Sequence, residues 1–189
     1  DVIEKRPAAR RALETLHDEG AIIHNDMKNV TLPDLKSPEG LIGGAPCTSF
    51  CLLGKGEGLD SDDGSLFMDQ LNMVKELSSR DERPLRWIIM ENVMSITYNR
   101  KSGNALEEIN QWWSENMSHW EPLAVWRVNA VECLLPQSRT RVFLVSQERQ
   151  YSDMVSGMPS GPAVCFDEEI KLLEPFLVDH RDVHPDPQS

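Results

Sequence analysis

The segment that most constrains this chain is the run LIGGAPCTSFCLLGKGEGLD at residues 41–60. A short apolar stretch ends in two glycines, a Pro-Cys pair follows at once, and a loop with three further glycines comes next. In α/β enzymes, reactive groups follow the carboxyl end of a strand in this way, because glycines allow a sharp turn and proline fixes φ. Taken alone, Cys47 is more simply explained as a small buried hydrophobic residue, as most free cysteines are, so the other segments have to decide.

Apolar patterns of strand type alternate with helical patterns through most of the chain. The predicted strands lie at residues 1–4, 21–24, 41–42, 85–90, 123–128 and 142–145, with helical spacing after Pro7, after Gly64 and around 106–113. This alternation predicts an α/β fold with a doubly wound, mostly parallel sheet. We expect one domain over residues 1–147, followed by an irregular, proline-containing segment over 148–189.

Ligands of such sheets bind just past the ends of strands, which draws attention to three acidic residues. Glu4 follows the first strand, where a carboxylate accepts hydrogen bonds from a ribose, or is simply a solvated side chain. Asp26 follows the second strand and is suited to an adenine amino group or to a turn cap. Glu91 follows the apolar run RWIIM, where a part-buried carboxylate is either a general acid or a salt-bridged residue.

The segment PQSRTRVF at residues 136–143 brings two arginines just ahead of an apolar strand. Alternation predicts that Arg139 and Arg141 lie on one face of that strand. Paired guanidinium groups suit a phosphate or the carbonyl edge of a base, although a charged edge strand is the simpler alternative.

Charge and cysteine content exclude some classes of function. The net charge of −12 argues against a chain that clamps nucleic acid by itself, because phosphate contacts need clustered Lys and Arg. Four cysteines without a C-x-x-C pair favour reduced thiols in an intracellular compartment, and Cys47 with Cys51 lacks the second pair that a zinc site needs. No apolar run is long enough to span a membrane, and the start DVIEKR, without Met, suggests a fragment.

Together the motifs resemble the cytosine-C5 DNA methyltransferase family. The nucleophile motif stands here as GGAPCTSFCLLGKGEGLD, the following helix as GSLFMDQLNMVKEL, the Glu-Asn-Val motif as MENV, and the Gln-x-Arg-x-Arg motif within VNAVECLLPQSRTRVFLV. Upstream, VIEKRPAARRAL and HNDMKNV are similar to the two cofactor-side motifs of the family. Four motifs in the family order make the resemblance specific over residues 1–147.

The resemblance implies a Rossmann-like fold that uses S-adenosylmethionine and acts on a cytosine flipped out of DNA, intracellularly (nucleus if eukaryotic, cytoplasm if bacterial). It assigns catalysis to Cys47 as the nucleophile, Glu91 at N3, and Arg141 with Arg139 on the O2 side. Cofactor contacts fall on Glu4, Asp26, Pro46 and Leu66. Substrate contacts fall on Asn92, Gln137, Thr48 and Ser49.

Several departures from the family pattern leave alternatives open. Thr48 replaces a usual Gln, Cys51 a usual Ser, and Lys5 a residue that often packs on the adenine. The first strand with its Phe-x-Gly-x-Gly loop, and the target-recognition domain, are absent, so a gap is expected between the strands ending at Glu4 and at Gly43. A tRNA methyltransferase and a non-catalytic interaction module are the alternatives. A thiol hydrolase would require a His within hydrogen-bond reach of Cys47.

Overall fold

The computed structural model describes residues 1–16, 21–47, 50, 59, 62–81, 84–98, 104–133 and 135–154. Three helices lie within these ranges: α1 (Pro7–Leu16), α2 (Asp62–Ser78) and α3 (Ala105–Asn116). Six strands accompany them: β1 (Val2–Ile3), β2 (Ile23–His24), β3 (Gly40–Gly43), β4 (Trp87–Val93), β5 (Ala124–Asn129) and β6 (Thr140–Gln147). None of the described helices combines the length and apolarity needed to cross a bilayer.

Four strands form the larger sheet in the order β3-β4-β6-β5. β3 and β4 are parallel, and β6 is antiparallel to both of its neighbours, so β3, β4 and β5 all point the same way. The predicted α/β fold with a mostly parallel sheet is therefore confirmed, with β6 as the reversed strand. The reversal has a local cause. Only residues 130–139 join β5 to β6, and a parallel crossover needs a dozen or more residues, usually with a helix.

β1 and β2 form a separate, parallel two-stranded sheet. No pairing joins β1 or β2 to a strand of the larger sheet in the described structure. The carbonyl of Glu39 accepts from Arg86 N, and alternate residues of a parallel strand face opposite edges. The peptide groups of Gly40 and Ile42 therefore face the edge of β3 away from β4, and Ile42 is 74% exposed.

The core lies on one face of the larger sheet. Ile88 and Met90 of β4 and Val142 and Leu144 of β6 point to this face and are fully buried. Helices α2 and α3 cover them with apolar residues at helical spacing: Phe67, Leu71, Val74 and Leu77 from α2, and Ile109 and Trp113 from α3. The opposite face of the sheet carries Glu91 and Arg141. The packed face therefore holds the strands in place, and the charged groups of the site lie on the other face.

The small sheet is attached to the rest of the molecule through the loop before β3. A carboxylate oxygen of Asp1 accepts from the backbone N–H of Lys36 at 2.8 Å. Arg80, after α2, donates to the carbonyl groups of Leu32 and Leu35 and to the hydroxyl of Ser37. Ile3 also packs against the core. These contacts hold the ends of β1 and β2 beside the amino-terminal part of β3.

Two predicted strand boundaries were wrong in ways that affect the site. β4 extends through Val93, so Glu91 and Asn92 lie inside the strand and not past its end. Pairing with β6 over seven residues extends β4 beyond its apolar run. β6 begins at Thr140, so Arg139 precedes the strand and does not share a strand face with Arg141.

Candidate active site

The charged centre of the site is an ion pair between Glu91 on β4 and Arg141 on β6. Arg141 Nε lies 2.8 Å from Glu91 Oε1, with side chains 24% and 39% exposed respectively. The antiparallel register places Arg141 opposite Val93, on the same sheet face as Glu91. Arg141 Nη1 also donates to the carbonyl of Thr140 at 2.9 Å, which fixes the guanidinium plane. The ion pair engages Oε1 of the carboxylate, and Oε2 faces the turn that follows β3.

The glycine turn after β3 runs directly against this carboxylate. A Cβ placed on Gly44 would lie 3.2 Å from Glu91 Oε2, and Gly44 is three residues before Cys47. One position earlier, a Cβ on Gly43 would overlap the side-chain amide of Gln70 on α2. The two glycines thus let the nucleophile segment run close to α2 and to the acid, and a larger residue at either position would require the Gln70 or Glu91 side chain to shift.

Cys47 is a half-buried thiol at the end of this turn. Its carbonyl accepts the backbone N–H of Phe50 at 3.0 Å. The Phe50 ring is 1% exposed and packs edge-on against Phe67 of α2, with ring centroids 6.2 Å apart. The Phe50 carbonyl accepts a hydrogen bond from the hydroxyl of Ser95, which follows β4. The nucleophile segment is therefore anchored on both α2 and the chain that leaves β4.

Asn92 and Glu91 point to opposite faces of the sheet. Asn92 is 1% exposed, its Oδ1 accepts from the N–H of Val93 at 2.8 Å, and its Nδ2 is buried without a hydrogen-bond partner in the described structure. The geometry gives Asn92 a position within the packed layer below the turn. Direct substrate contact by Asn92 stays a prediction.

The remaining predicted substrate residues lie at the start of β6 or outside the described residues. Arg139 and Gln137 are exposed, and Arg139 is held only through its backbone, which bonds Asn129 and Ala130. Its guanidinium makes no ion pair within the described ranges. Thr48 and Ser49 lie outside the described residues. The structure therefore brings Glu91 and Arg141 together beside the Cys47 turn and leaves Arg139 at the rim.

Glu4 stands one residue past β1, as predicted. Its Oε1 accepts from the backbone N–H of Arg6 at 2.8 Å and from Arg6 Nε at 3.3 Å. The backbone hydrogen bond first, and the Arg6 side chain second, hold the pKa of Glu4 below its ordinary value. Oε2 accepts no hydrogen bond from any described residue, so an ionised oxygen remains available to a hydroxyl donor.

Asp26 follows the adjacent strand β2 and is already engaged on both oxygens. Lys5 Nζ lies 3.0 Å from Oδ2, and the N–H of Lys28 donates to Oδ1 at 3.1 Å, which caps a short 3₁₀ turn. The Lys5 hydrogen bond, then the Lys28 backbone, hold the pKa of Asp26 below its ordinary value. The turn-cap alternative from the sequence is therefore confirmed for Asp26, and adenine binding by Asp26 stays a prediction.

Pro46 is exposed, and Leu66 lies half-buried near the start of α2. A cleft of about 390 Å³ opens between residues 27–35 and α2, but none of the predicted cofactor residues lines this cleft. Glu4 and Asp26 do fit the polar groups of an adenosine, because ionised carboxylates at adjacent parallel strand ends accept from hydroxyl and amino donors. No group of three or more His, Cys, Asp or Glu in the described part of the chain is arranged to hold a metal.

Sequence reasoning did not identify two contacts of the site. The approach of Gly44 to Glu91 depends on pairing between β3 and β4, and the Ser95 hydroxyl reaches Phe50 across 45 positions of the chain. The sequence predicted a turn at the glycine pair, but it did not predict that Glu91 lies beside that turn. Nothing in the sequence distinguishes Ser95 from any other serine.

The fold is the Rossmann-like fold of solved methyltransferase structures. The chain superimposes on the crystal structure of the S. pombe Dnmt2 methyltransferase with a TM-score of 0.54 and 17% identity, covering 83% of this chain and 47% of that chain. It also superimposes on the Entamoeba histolytica methyltransferase EhMeth with a TM-score of 0.55 and 12% identity, covering 77% and 43% of the two chains. At these identities the likeness establishes the fold.

The chain belongs to the C-5 cytosine-specific DNA methylase family, whose model matches residues 2–170. Relatives include the type II methyltransferase M.AquIA of Picosynechococcus, 28% identical over 92% of this chain and 74% of the relative. The type II methyltransferase M.DdeI of Desulfomicrobium norvegicum is 30% identical over 74% of this chain. The chain spans only a third of M.DdeI. The family predicted from the four motifs is therefore confirmed.

Proposed function

We propose that this chain methylates C5 of a cytosine in DNA through a covalent bond between Cys47 and C6. The observation that carries the proposal is the Glu91–Arg141 pair, which lies against the glycine turn leading to Cys47. The acid and the guanidinium group thus lie beside the turn that leads to the proposed nucleophile. The family relationship supports DNA as the substrate class.

The proposed chemistry begins with the thiolate of Cys47, which adds to C6 of the cytosine. Glu91 hydrogen-bonds the N3 edge of the cytosine, and donation of a proton there offsets the charge that builds on the ring. Arg141 holds the Glu91 side chain and faces the O2 side, with Arg139 at the rim. The addition makes C5 nucleophilic towards a methyl donor. After methylation, loss of the C5 proton to water restores the C5–C6 double bond and expels Cys47 as the thiolate.

S-adenosylmethionine, which the family uses, would supply the electrophilic methyl group. Glu4 would accept hydrogen bonds from the ribose hydroxyls. Asp26 would accept a hydrogen bond from the adenine amino group, which would displace the Lys5 ammonium group from the carboxylate. Pro46 and Leu66 would pack against the cofactor. The base has to leave the duplex to reach Cys47, at an unstacking cost of about a few kcal/mol. Thr48, Ser49, Asn92 and Gln137 are the proposed substrate contacts around the flipped base.

A covalent trap tests the proposal. The protein is incubated with S-adenosylmethionine and DNA containing 5-fluorocytosine, because fluorine at C5 cannot leave as a proton does. We expect a denaturant-stable adduct whose mass and tryptic map place the bond on Cys47. Cys47→Ser is the matched control, since it keeps the size of the side chain but removes the thiolate.

RNA of the same sequence provides the second arm of the experiment. If an adduct forms with RNA alone, the substrate would be RNA such as tRNA and not DNA, and the proposed mechanism would stand. No adduct with either nucleic acid, in a protein that binds the cofactor, would contradict the proposed activity and favour the non-catalytic alternative.

A further inference from the structure

We propose that Ser95 is a positioning residue that holds the segment carrying Cys47 against the strand carrying Glu91. The inference rests on the proposed function, because it concerns the same nucleophile and acid. It arises from a contact that the proposed chemistry does not use, namely the hydrogen bond from the Ser95 hydroxyl to the carbonyl of Phe50.

The first step of the argument is the position of Ser95 on the acid side. Ser95 lies in the 3₁₀ turn Met94–Thr97, which directly continues β4, and is four residues after Glu91. Its side chain is 7% exposed, and the turn is closed by the N–H of Tyr98 donating to the Ser95 carbonyl at 3.2 Å. Ser95 therefore moves with the strand that carries the acid.

The second step is the position of Phe50 on the nucleophile side. The Phe50 N–H closes a turn onto the Cys47 carbonyl, and the Phe50 ring is fixed against Phe67 in the core. A hydroxyl that binds the Phe50 carbonyl thus restrains the peptide three residues from the thiol. Since the contact is buried, water competes poorly with it.

The third step concerns the distance between the reacting groups. Cys47 has to meet C6 while Glu91 meets N3 of the same ring, so the relative placement of the two segments decides the reaction geometry. Displacing a reacting group by about 1 Å costs roughly 100-fold in rate. The Ser95–Phe50 hydrogen bond and the close approach of Gly44 to Glu91 both link these segments, and the Ser95 hydroxyl can be removed without adding volume.

The test compares Ser95→Ala with two control variants, each of which removes a different side-chain hydroxyl. Ser146→Ala removes a hydroxyl that is equally buried, at 5% exposure, and donates to the Glu121 carbonyl away from the nucleophile. Thr97→Ala removes a hydroxyl of the same 3₁₀ turn that bonds only within the turn, to Met94. Ser95→Thr keeps the hydroxyl and serves as the rescue variant.

Two measurements need neither cofactor nor DNA. Hydrogen exchange of the Phe50 amide should be roughly tenfold faster in Ser95→Ala, because that amide is protected by the turn the hydroxyl restrains. Alkylation of Cys47 by iodoacetamide, followed at the peptide level by mass spectrometry, should accelerate with it. Ser146→Ala and Thr97→Ala should leave both rates unchanged, and Ser95→Thr should restore them.

The kinetic measurement uses the protein with S-adenosylmethionine and DNA. Ser95→Ala should lower kcat by roughly 10- to 100-fold with the KM for either substrate nearly unchanged. If the wild type transfers no methyl group, the proposed function fails, while the exchange and alkylation rates still decide the Ser95 contact. Unchanged Phe50 exchange and Cys47 alkylation in folded Ser95→Ala would overturn the inference.

A further variant covers the case in which Ser95→Ala does not fold. Ser95→Cys keeps a weaker hydrogen-bond donor at the same position. Exchange of the Phe50 amide should then rank wild type and Ser95→Thr as slow and Ser95→Cys as faster. Equal exchange rates in all three proteins would also overturn the inference.

Discussion

Two ion pairs of the site join residues that are distant in the sequence. Glu91 is fixed by Arg141 from another strand and bordered by Gly44 from the turn after a third. Asp26 is paired with Lys5, where the family pattern has a residue that packs on the adenine. Both pairs are therefore set by tertiary contacts and not by neighbouring residues in the sequence.

Removing the Arg141 side chain tests the pairing at the acid. We expect Arg141→Ala to lower kcat by roughly 100-fold, because Glu91 loses the group that orients it. The free energy of unfolding should change by only about 0–1 kcal/mol, since both side chains are partly exposed. Steady-state methylation and urea denaturation measure the two effects. Arg127→Ala, an exposed arginine on β5, is the control. Equal kcat losses in both variants would contradict the assigned role of Arg141.

The Lys5–Asp26 pair gives a pH-dependent prediction. Lys5 is the largest cause of the lowered pKa of Asp26, so Lys5→Ala should raise that pKa towards its ordinary value of 3.8. A carboxyl with a lowered folded pKa adds stability above its unfolded pKa and loses it as the pH falls through the folded pKa. The contribution should therefore disappear only below about pH 3.8 in the wild type. Carboxyl-carbon NMR titration of Asp26 measures the shift, with Arg11→Ala as the control. An unchanged Asp26 titration in Lys5→Ala would show that the pair does not form in solution.

At the scale of elements, the site depends on β6. This strand lies between β4 and β5, supplies Arg141 on one face, and buries Val142 and Leu144 on the other. Helices α2 and α3 pack on the buried face. This packing holds the register of β4 and β6, so the charged face does not have to be covered by apolar groups. The pairing between β4 and β6 therefore places the ion pair on one face of the sheet and core residues on the other.

Leu144→Ala tests how much β6 contributes to the core. The side chain is fully buried opposite Met90, so its truncation should reduce the free energy of unfolding by about 2–5 kcal/mol. Val145→Ala, one residue on and half-buried on the other face, should cost distinctly less. Urea unfolding of both variants measures the difference. Similar losses would mean that the two faces of β6 are equally packed.

At the scale of the whole molecule, the described strands form two sheets that share no strand pairing, β1-β2 and β3-β4-β6-β5. The peptide groups of Gly40 and Ile42 face an edge without a neighbouring strand in the described structure, and the Ile42 side chain is largely exposed. An exposed apolar residue on a strand edge is a place where a further strand gains both backbone pairing and burial.

An added strand tests this division directly. We expect an extension of roughly 30 residues before Asp1, encoding a strand, a glycine turn and a helix, to raise the melting temperature. Exchange of the Ile42 amide should slow by roughly tenfold, because that N–H would gain a partner. The same extension with two prolines in the strand is the control, since proline cannot complete the ladder. Equal protection of Ile42 in both proteins would mean that the strand does not enter the gap.

Sequence and tertiary structure determined different properties of this protein. Apolar periodicity and glycine or proline breaks are local, so the sequence by itself predicted the order of the elements, the family, and the Glu91 and Arg141 site residues near the Cys47 turn. The reversed direction of β6, the extension of β4 past Glu91, the Lys5–Asp26 pair and the Ser95–Phe50 hydrogen bond were decided by the tertiary structure. These features depend on contacts between segments that are distant in the sequence. Such contacts cannot be predicted from the residues that lie next to each other along the chain.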